Sequence, residues 1–541
     1  MDPIVLIFLS ALALVCLVYK RRNARNALAD IPGPEPQSFL LGNLPELFQE
    51  QVGQCDVEWL KRFGGVARVK APFGDDMLWI SDAKALQYIY QTSGYNFPKQ
   101  PERRAISRLL ADHGLTWADG DIHRRQRKAM LPAFGTPEAK ALVPVFRDCA
   151  ARLTVKWKEI ISVSSGDSTV FNIPMWVSRA TMDAIGEAAF DYKFGILGNS
   201  DNELAKAYQN LLSDIFAAPS GVKIFLQSIA HYVPLSVQEF FYDILPGKGL
   251  DKARFNRTAA HKVAYELLEA KTQALSVEKS GRDIMSILVK ANSTENEKAR
   301  LSEDEMIAQM RTIMLAGQET TSNGLTWTLL ELAKYPEIQR RLREEIWNKE
   351  AELRERGNSG FTAADLESMP YLQAVLRESL RFNPPVYHTF RQSAMDDVLP
   401  LSKPITTLSG KVVQELPIPK GTRAVLSIIG HGRDKDVWGE DADQFNPERW
   451  LGRKASRGPN VGVFSNLLTF AGGVRACIGW RFAIYELQSF LVELVSHFEF
   501  ELTDDAKRVR REASIVMVPT LDGETEKGSQ LPMKVSLAVR P

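Results

Sequence analysis

Ten residues near the C-terminal end carry a pattern with a definite chemistry: Phe470-Ala471-Gly472-Gly473-Val474-Arg475-Ala476-Cys477-Ile478-Gly479. A thiolate that holds haem iron needs a backbone that turns tightly beneath the porphyrin. Gly472 and Gly473 are expected to permit this, because glycine accepts positive φ. It needs a neighbour without a side chain where the chain passes close to the ring, a place for Gly479. Phe470 can shield the sulfur from water, and Arg475 can meet a haem propionate by a bidentate contact. A helical run from Trp480 to Glu486 follows at once. A helix N-terminus beside Cys477 is expected to lower its pKa and favour the thiolate, which pushes electron density to iron. A lone cysteine in a glycine-rich turn reads as a buried structural residue. The five residues at fixed offsets, Phe, Gly, Arg, Cys and Gly, point instead to iron, with Cys477 as the metal ligand.

Other residues are spaced for joint action. Glu378 and Arg381 stand at i and i+3 of a helical pattern and can face each other. An isolated pair of this kind is normally a solvated surface pair. His123 and Arg127, at i and i+4, share one helix face within the basic run His123 to Lys128. A solvated basic face is the plain alternative. Thr320 lies four residues past Ala316, so its hydroxyl can compete for that carbonyl and bend the helix.

The cysteine segment matches the F-x-x-G-x-R-x-C-x-G signature of the cytochrome P450 family at every fixed position, and the sequence resembles that family over essentially its whole length. The proline elbow, helix order and N-terminal apolar run resemble the eukaryotic microsomal class, and Gly120 to Phe134 resembles fungal members. The resemblance implies a mainly α fold with a small β region (α+β) and haem b, iron protoporphyrin IX, as cofactor. It implies a monooxygenase that hydroxylates or epoxidises a lipophilic small molecule. Glu378 and Arg381 match E-x-x-R, and Arg449 in Phe445-Asn446-Pro447-Glu448-Arg449-Trp450 is the third member of a buried structural triad. Ala316-Gly317-Gln318-Glu319-Thr320-Thr321 matches A-G-x-[D/E]-T-[T/S]. Small Ala316 and Gly317 then leave room for dioxygen, and Thr320 with Glu319 relays protons as catalytic residues. The acid is Glu where Asp is commoner. His123 and Arg127 fit a W-x-x-x-R propionate clamp with His in place of Trp, a departure. Arg391 is the third propionate partner.

The supporting elements follow from periodicity. Val66 to Val69, a Gly74-Asp75-Asp76 turn and Met77 to Ile80 read as a hairpin. Amphipathic helices are expected near 136–160, 174–191, 201–217, 250–275 and 302–334. Another is expected from near Asp365 to just before Pro384-Pro385, and Val412 to Ser427 reads as strand broken by Pro417, Pro419 and Gly421. The expected organisation is a short lumenal N-terminus at 1–3, a transmembrane anchor at 4–19, a basic, proline-rich linker at 20–36 and the catalytic domain at 37–541. At 1.5 Å per residue the apolar run spans about 24 Å, near the roughly 27 Å of an endoplasmic reticulum core. A cleaved signal peptide is the rival, but Asp2 stands where a signal peptide carries positive charge. Lys20, Arg21, Arg22 and Arg25 favour a cytosolic body. The expected location is therefore the endoplasmic reticulum membrane, single-pass.

With 67 basic and 66 acidic residues the chain has no field for nucleic acid. Cys16, Cys55, Cys149 and Cys477 form no CxxC pair, so neither a zinc site nor a disulfide framework is signalled. No flavin, nicotinamide or P-loop motif is present, so the resemblance implies electrons from a separate NADPH–cytochrome P450 reductase, with cytochrome b5 a further donor. Lys128, Arg453 and Arg481 are candidate partner contacts. By family analogy Ile106 to Trp117, Met310 to Leu315, Val386 to Thr389 and Val516 to Leu521 line the pocket. Their apolar character suggests a terpenoid, steroid, fatty acid or aromatic substrate, and the fungal character favours secondary metabolism. The aromatic stretch Ile224 to Leu245 rests either on a bilayer or in the core. An isomerase of the same family and a non-catalytic haem carrier are the alternatives. The intact Ala316 to Thr321 motif counts against both.

Overall fold

The computed structural model describes residues 28–540, apart from 165, 199–201, 277–280, 282, 295–297, 359 and 453–454. The expected anchor at 4–19 and most of the basic segment lie outside the described residues. Among the described residues no helix is long and apolar enough to cross a membrane. The proline elbow is not free of the body. Leu28 and Ile31 are buried, the Arg68 N–H donates to Pro32 O at 3.0 Å, and a Cβ on Gly33 would meet Arg68 O at 1.8 Å.

Among the described residues the body is mainly helical, with four small sheets. Twelve helices position the site: α1 (Gln54–Phe63), α2 (Pro101–Ala111), α3 (Gly120–Met130), α4 (Val143–Ser162), α5 (Ile173–Phe190), α6 (Gly221–Ile229), α7 (Leu235–Ile244), α8 (Lys248–Ser276), α9 (Glu303–Lys334), α10 (Pro336–Glu355), α11 (Pro370–Phe382) and α12 (Trp480–His497). The strands are β1 (Val66–Lys70), β2 (Asp76–Ile80), β3 (Ser168–Asn172), β4 (His388–Gln392), β5 (Asp397–Thr406), β6 (Val412–Ile418), β7 (Arg423–Ser427), β8 (Phe498–Leu502), β9 (Val509–Glu512), β10 (Val518–Leu521) and β11 (Pro532–Leu537).

The main sheet runs β1-β2-β7-β4, with β2 and β7 parallel and the other pairs antiparallel. β5 and β6 form a hairpin, β9 pairs with β10, and β3-β11-β8 closes the far side. The expected β1–β2 hairpin is present, but its turn is Ala71 to Asp75, with Phe73 and Gly74 at φ 61° and 70°. Asp76 already belongs to β2.

Helix α9 is the axis. Ser302 and Glu305 form a reciprocal capping box, Glu303, Asp304 and Glu305 fill the first turn, and Lys334 the last, all complementary to the helix dipole. Every residue from Thr321 to Ala333 is buried. Polar members survive there by bonding within the helix: Asn323 Nδ2 donates to Glu319 O at 2.8 Å and Thr328 Oγ1 to Gly324 O at 2.7 Å. The sequence reading passes over α10, whose buried stripe is short and includes Gln339 and Arg343. Arg343 is held there by Val495 O and Phe498 O at 3.0 and 2.8 Å. The helix expected from Asp365 is two pieces, Ala363–Glu367 and α11, because Pro370 starts a new helix at its N-terminal turn.

Asp56 of α1 clamps that helix to the main sheet. It is fully buried and accepts from Trp79 Nε1 at 2.8 Å, from Ser427 Oγ, and lies 2.7 Å from His388 Nε2. Burial works to raise its carboxyl pKa, and His388, Ser427 and Trp79 together bring it below the usual value. Replacing Asp56→Ala strands an indole N–H, a hydroxyl and an imidazole. A loss of about 3–5 kcal/mol is expected, measurable as a lower midpoint in denaturant unfolding.

Candidate active site

The cysteine loop is shaped by close approach. Gly473 has φ 60°, and a Cβ there would lie 1.9 Å from Tyr90 O. Gly472 differs from the expectation of positive φ, with φ −140°. It is glycine because a Cβ would meet Val461 O at 2.1 Å. The second left-handed position is Ala471, at φ 54°. The Cys477 N–H donates to Phe470 O at 2.8 Å, which closes the loop, and Phe470 is buried against Phe464. At Gly479 a Cβ would find only the Phe134 ring at 3.7 Å, so the chain itself leaves room for a side chain there.

Cys477 is enclosed and yet water-accessible, as expected for the wall of an internal space. Its thiol pKa is raised on balance, although the adjoining helix start lowers it as expected. Burial outweighs the Gly479 backbone hydrogen bond and the Arg127 charge, which both lower it. A bound metal ion deprotonates such a thiol outright. In α9, Ala316 is exposed although Met314 and Gln318 are buried, which marks another wall of open interior space. Gly317 does not do what was expected of it. Its missing Cβ would strike Ile185 Cδ1 at 2.5 Å, so this glycine serves the contact of α9 with α5.

Thr320 Oγ1 donates to Ala316 O at 2.7 Å. The expected bend leaves no interruption, since α9 is helical throughout. Glu319 is buried, and burial pushes its carboxyl up to about 7, partly countered by Lys252. The expected pocket-lining segments meet in pairs. Leu115 N donates at 2.9 Å to Oε1 of Gln309, the residue just before Met310, and Met517 N donates at 2.7 Å to O of Pro385, the residue just before Val386.

Cations gather beside the loop. His123 is 3% exposed and lies 3.0 Å from the Tyr95 hydroxyl through Nδ1. Arg127 Nη1 donates to Ala476 O at 2.7 Å. Arg475 pairs with Asp119, while its Nη1 is buried without a partner. Arg391 Nη1 donates to its neighbour Phe390 O at 3.0 Å. Lys99, absent from the sequence reading, donates to Ala118 O at 2.7 Å and Leu115 O at 3.2 Å. Burial and repulsion by neighbouring cations act on Lys99, His123 and Arg391. Lys99 is driven well below its usual pKa by burial, Arg475 and Arg391. His123 is driven down to about 3 by burial, Lys99, Arg475 and Arg127. Asp119 is the carboxylate set among them, lowered by Arg475 and Lys99 against its own burial. Such a surplus calls for an anionic occupant, and an unpartnered guanidinium N–H aimed into it fits a propionate. The donor set and the thiol together fit haem b. Lys99, Asp119 and Tyr95 carry no recognisable motif, and only folding brings them in.

The triad residues are together. Arg381 donates to both Glu378 oxygens at 2.9 and 2.7 Å, and both side chains are fully buried. Arg449 Nε, Trp450 Nε1 and Asn446 N donate to the same carboxylate at 3.1, 2.9 and 2.7 Å.

The family model for cytochrome P450 matches residues 32–525. The chain belongs to the cytochrome P450 family. It is similar to cytochrome P450 monooxygenase 128 of Postia placenta, 33% identical over 95% of this chain and 93% of that protein. It is also similar to cytochrome P450 monooxygenase claQ of Ampulloclitocybe clavipes, 32% identical over 98% of this chain and 97% of that protein. It is thus a cytochrome P450 monooxygenase with fungal relatives, and the family implies a haem-thiolate cofactor.

A surface cleft of about 940 Å³ near Lys61, Lys403 and Asp434 contains none of these residues. Lys128 is exposed and Arg481 half-buried over Trp480; Arg453 lies outside the described residues. The aromatic stretch at 224–245 divides between its two alternatives: Ile224 is buried and Tyr242 packs against the core, while Val222, Leu226, Phe240, Phe241 and Ile244 of α6 and α7 are exposed.

The Glu378 carboxyl has its pKa raised by burial, and Arg381 and Arg449 more than reverse this, holding it below the usual glutamate value. Its contribution is therefore complete above the unfolded value of about 4.3 and is lost as pH falls through the lower folded value. Glu378→Gln is expected to cost about 3–5 kcal/mol at neutral pH. Wild-type and variant unfolding free energies should converge in acid, as read by urea titrations at stepped pH.

Proposed function

We propose that this cytochrome P450 hydroxylates or epoxidises a lipophilic small molecule, a terpenoid or other secondary metabolite, with electrons from an NADPH–cytochrome P450 reductase and, as accessory donor, cytochrome b5. The observation that carries the reading is the buried cation cluster around a cysteine loop whose sulfur faces open interior space. Haem b, when bound, supplies the dioxygen-activating chemistry that no side chain here offers.

The chain's own residues have distinct tasks. Cys477 ligates the iron. Arg127, Arg391, Arg475 and Lys99 seat the propionates, with neutral His123 as a further donor. Phe470 keeps water from the sulfur. Ala316 leaves space on the distal wall. Thr320 donates its hydroxyl hydrogen to Ala316 O, so its oxygen is left to accept a hydrogen bond from water. Glu319, poised near 7 by burial, can both hold and release a proton near neutrality. Glu378, Arg381 and Arg449 hold the fold behind the loop.

The exposed apolar faces of α6 and α7, with Phe39 69% and Leu40 55% exposed, support seating on a membrane beside the anchor proposed at 4–19. The endoplasmic reticulum, with a cytosolic catalytic domain, is the location this favours. Exposed Lys128 and the Arg481 side chain are offered as contacts for an acidic reductase surface.

Purified protein should incorporate haem and give a ferrous carbon-monoxide complex with the red-shifted Soret band of sulfur ligation; its absence ends the reading. In a reductase-coupled assay Thr320→Ala should keep consuming NADPH while product falls and peroxide rises, about 10²-fold at the limit of a general acid–base role. Unchanged coupling removes Thr320 from the relay.

A further inference from the structure

A small cavity of about 30 Å³ lies between the Leu44–Phe48 turn, α2, α6, α7 and the main sheet. Its polar wall is made by Gln100, Glu102, Arg103 and Arg423, and its apolar wall includes Ile224 and Tyr242. Among the lining residues two guanidiniums face one carboxylate, Glu102, which is already turned to His231, whose Nδ1 lies 3.3 Å from Glu102 Oε2; a second carboxylate, Asp75, stands outside the lining, 3.8 Å from Arg423.

Neither guanidinium has its hydrogen bonds met. Arg103 stacks 3.7 Å from the Phe390 ring centroid and 5.6 Å from that of Phe48, and its Nε is buried without a partner. Arg423 is 5% exposed, its nearest carboxylate is Asp75 at 3.8 Å, and its Nη2 is buried without a hydrogen-bond partner. A buried, unmet donor is costly, more so on a charged group. The planar forks of two arginines match the two oxygens of a carboxylate, and the space suits one small polar head.

The position fits a route inward. Ile224 and Tyr242 belong to α6 and α7, the helices with exposed apolar faces. On the inner side Gln100 Nε2 donates to Arg391 O at 2.9 Å, one contact from the cation cluster.

We propose that this cavity is an entry subsite for the carboxylate of an amphiphile, which makes the substrate of this enzyme a lipophilic carboxylic acid. The proposal rests on the monooxygenase reading for the word substrate, but its binding step does not pass through the haem.

The test uses equilibrium dialysis of the full-chain holoenzyme in detergent against dodecanoate, methyl dodecanoate and dodecanol at neutral pH. Dodecanoate is expected to bind about tenfold more tightly than the ester or alcohol, the worth of roughly one charge-assisted hydrogen bond. Arg423→Gln and Arg103→Gln should each erase that preference, Arg423→Lys should keep part of it, and all should leave the ferrous carbon-monoxide spectrum unchanged. Equal binding of acid and ester by the wild type overturns the proposal, as does a preference that survives both glutamine variants. If a glutamine variant fails to fold, the wild-type comparison of acid with ester still decides. A missing sulfur-ligated spectrum together with an intact acid preference fails the monooxygenase reading and leaves the subsite standing.

Discussion

Buried positive charge is the constraint around which this molecule is built. Lys99, Arg127, Arg391 and Arg475 crowd beside the cysteine loop with Asp119 as the carboxylate set among them. Charges taken out of water must be paired or hydrogen-bonded, and here backbone carbonyls do part of that work. Leu115 and Ala118 hold Lys99, Ala476 holds Arg127 and Phe390 holds Arg391. Those carbonyls come from separate segments, so the cluster also fixes where the segments meet. His123 stays neutral because it is buried and its neighbours are cations. It can therefore stand in for a tryptophan as a neutral N–H donor without adding a further charge.

The loop that carries the sulfur is held from behind. Glu378 collects donors from Arg381, Arg449, Trp450 and Asn446, and Arg381 also reaches the carbonyls of Ala442 and Gln444. Thr469 Oγ1 then donates to Leu380 O at 2.6 Å, from the residue before Phe470. A single carboxylate on α11 is thus two hydrogen-bonded steps from the cysteine loop. The network is thereby tied to the loop, and loss of Glu378 would leave two buried guanidiniums to find new acceptors.

What was legible in the sequence had local spacing. Cys477, the Glu378–Arg381 pair, the Thr320–Ala316 bond and the His123–Arg127 face are each defined within a few residues, and local geometry carries them. What was not legible depended on contacts between distant elements. Lys99 and Asp119 join the cluster only because the loop before α2 and the start of α3 fold onto β4. Gly317 looked like room for a ligand, yet it answers to Ile185 of α5. Gly472 looked like a tight turn, yet it answers to Val461 O. The start of α12 lowers the Cys477 pKa as its position suggests, but desolvation acts on the whole thiol while the helix end offers one N–H, so the balance is upward. Helix α10 was passed over because its buried stripe includes Gln339 and Arg343, which also need the carbonyls of Phe500 and Val495, over a hundred positions away.

Strand β4 shows how two chemistries are kept apart and yet coupled. Successive side chains of a strand point to opposite faces. His388 and Phe390 face Asp56, Phe48 and Arg103, while Thr389 meets the Tyr90 hydroxyl at 2.6 Å and Arg391 joins the cations. One face of a five-residue strand serves the outer cavity and the clamp on α1; the other serves the cofactor side. A slip of one residue would exchange the faces, placing Arg391 against the aromatic stack and Phe390 among the charges. The pairing of Phe390 with Val425 on β7 and the Asp56–His388 contact resist that slip together, so the register of β4 depends on a buried carboxylate on α1.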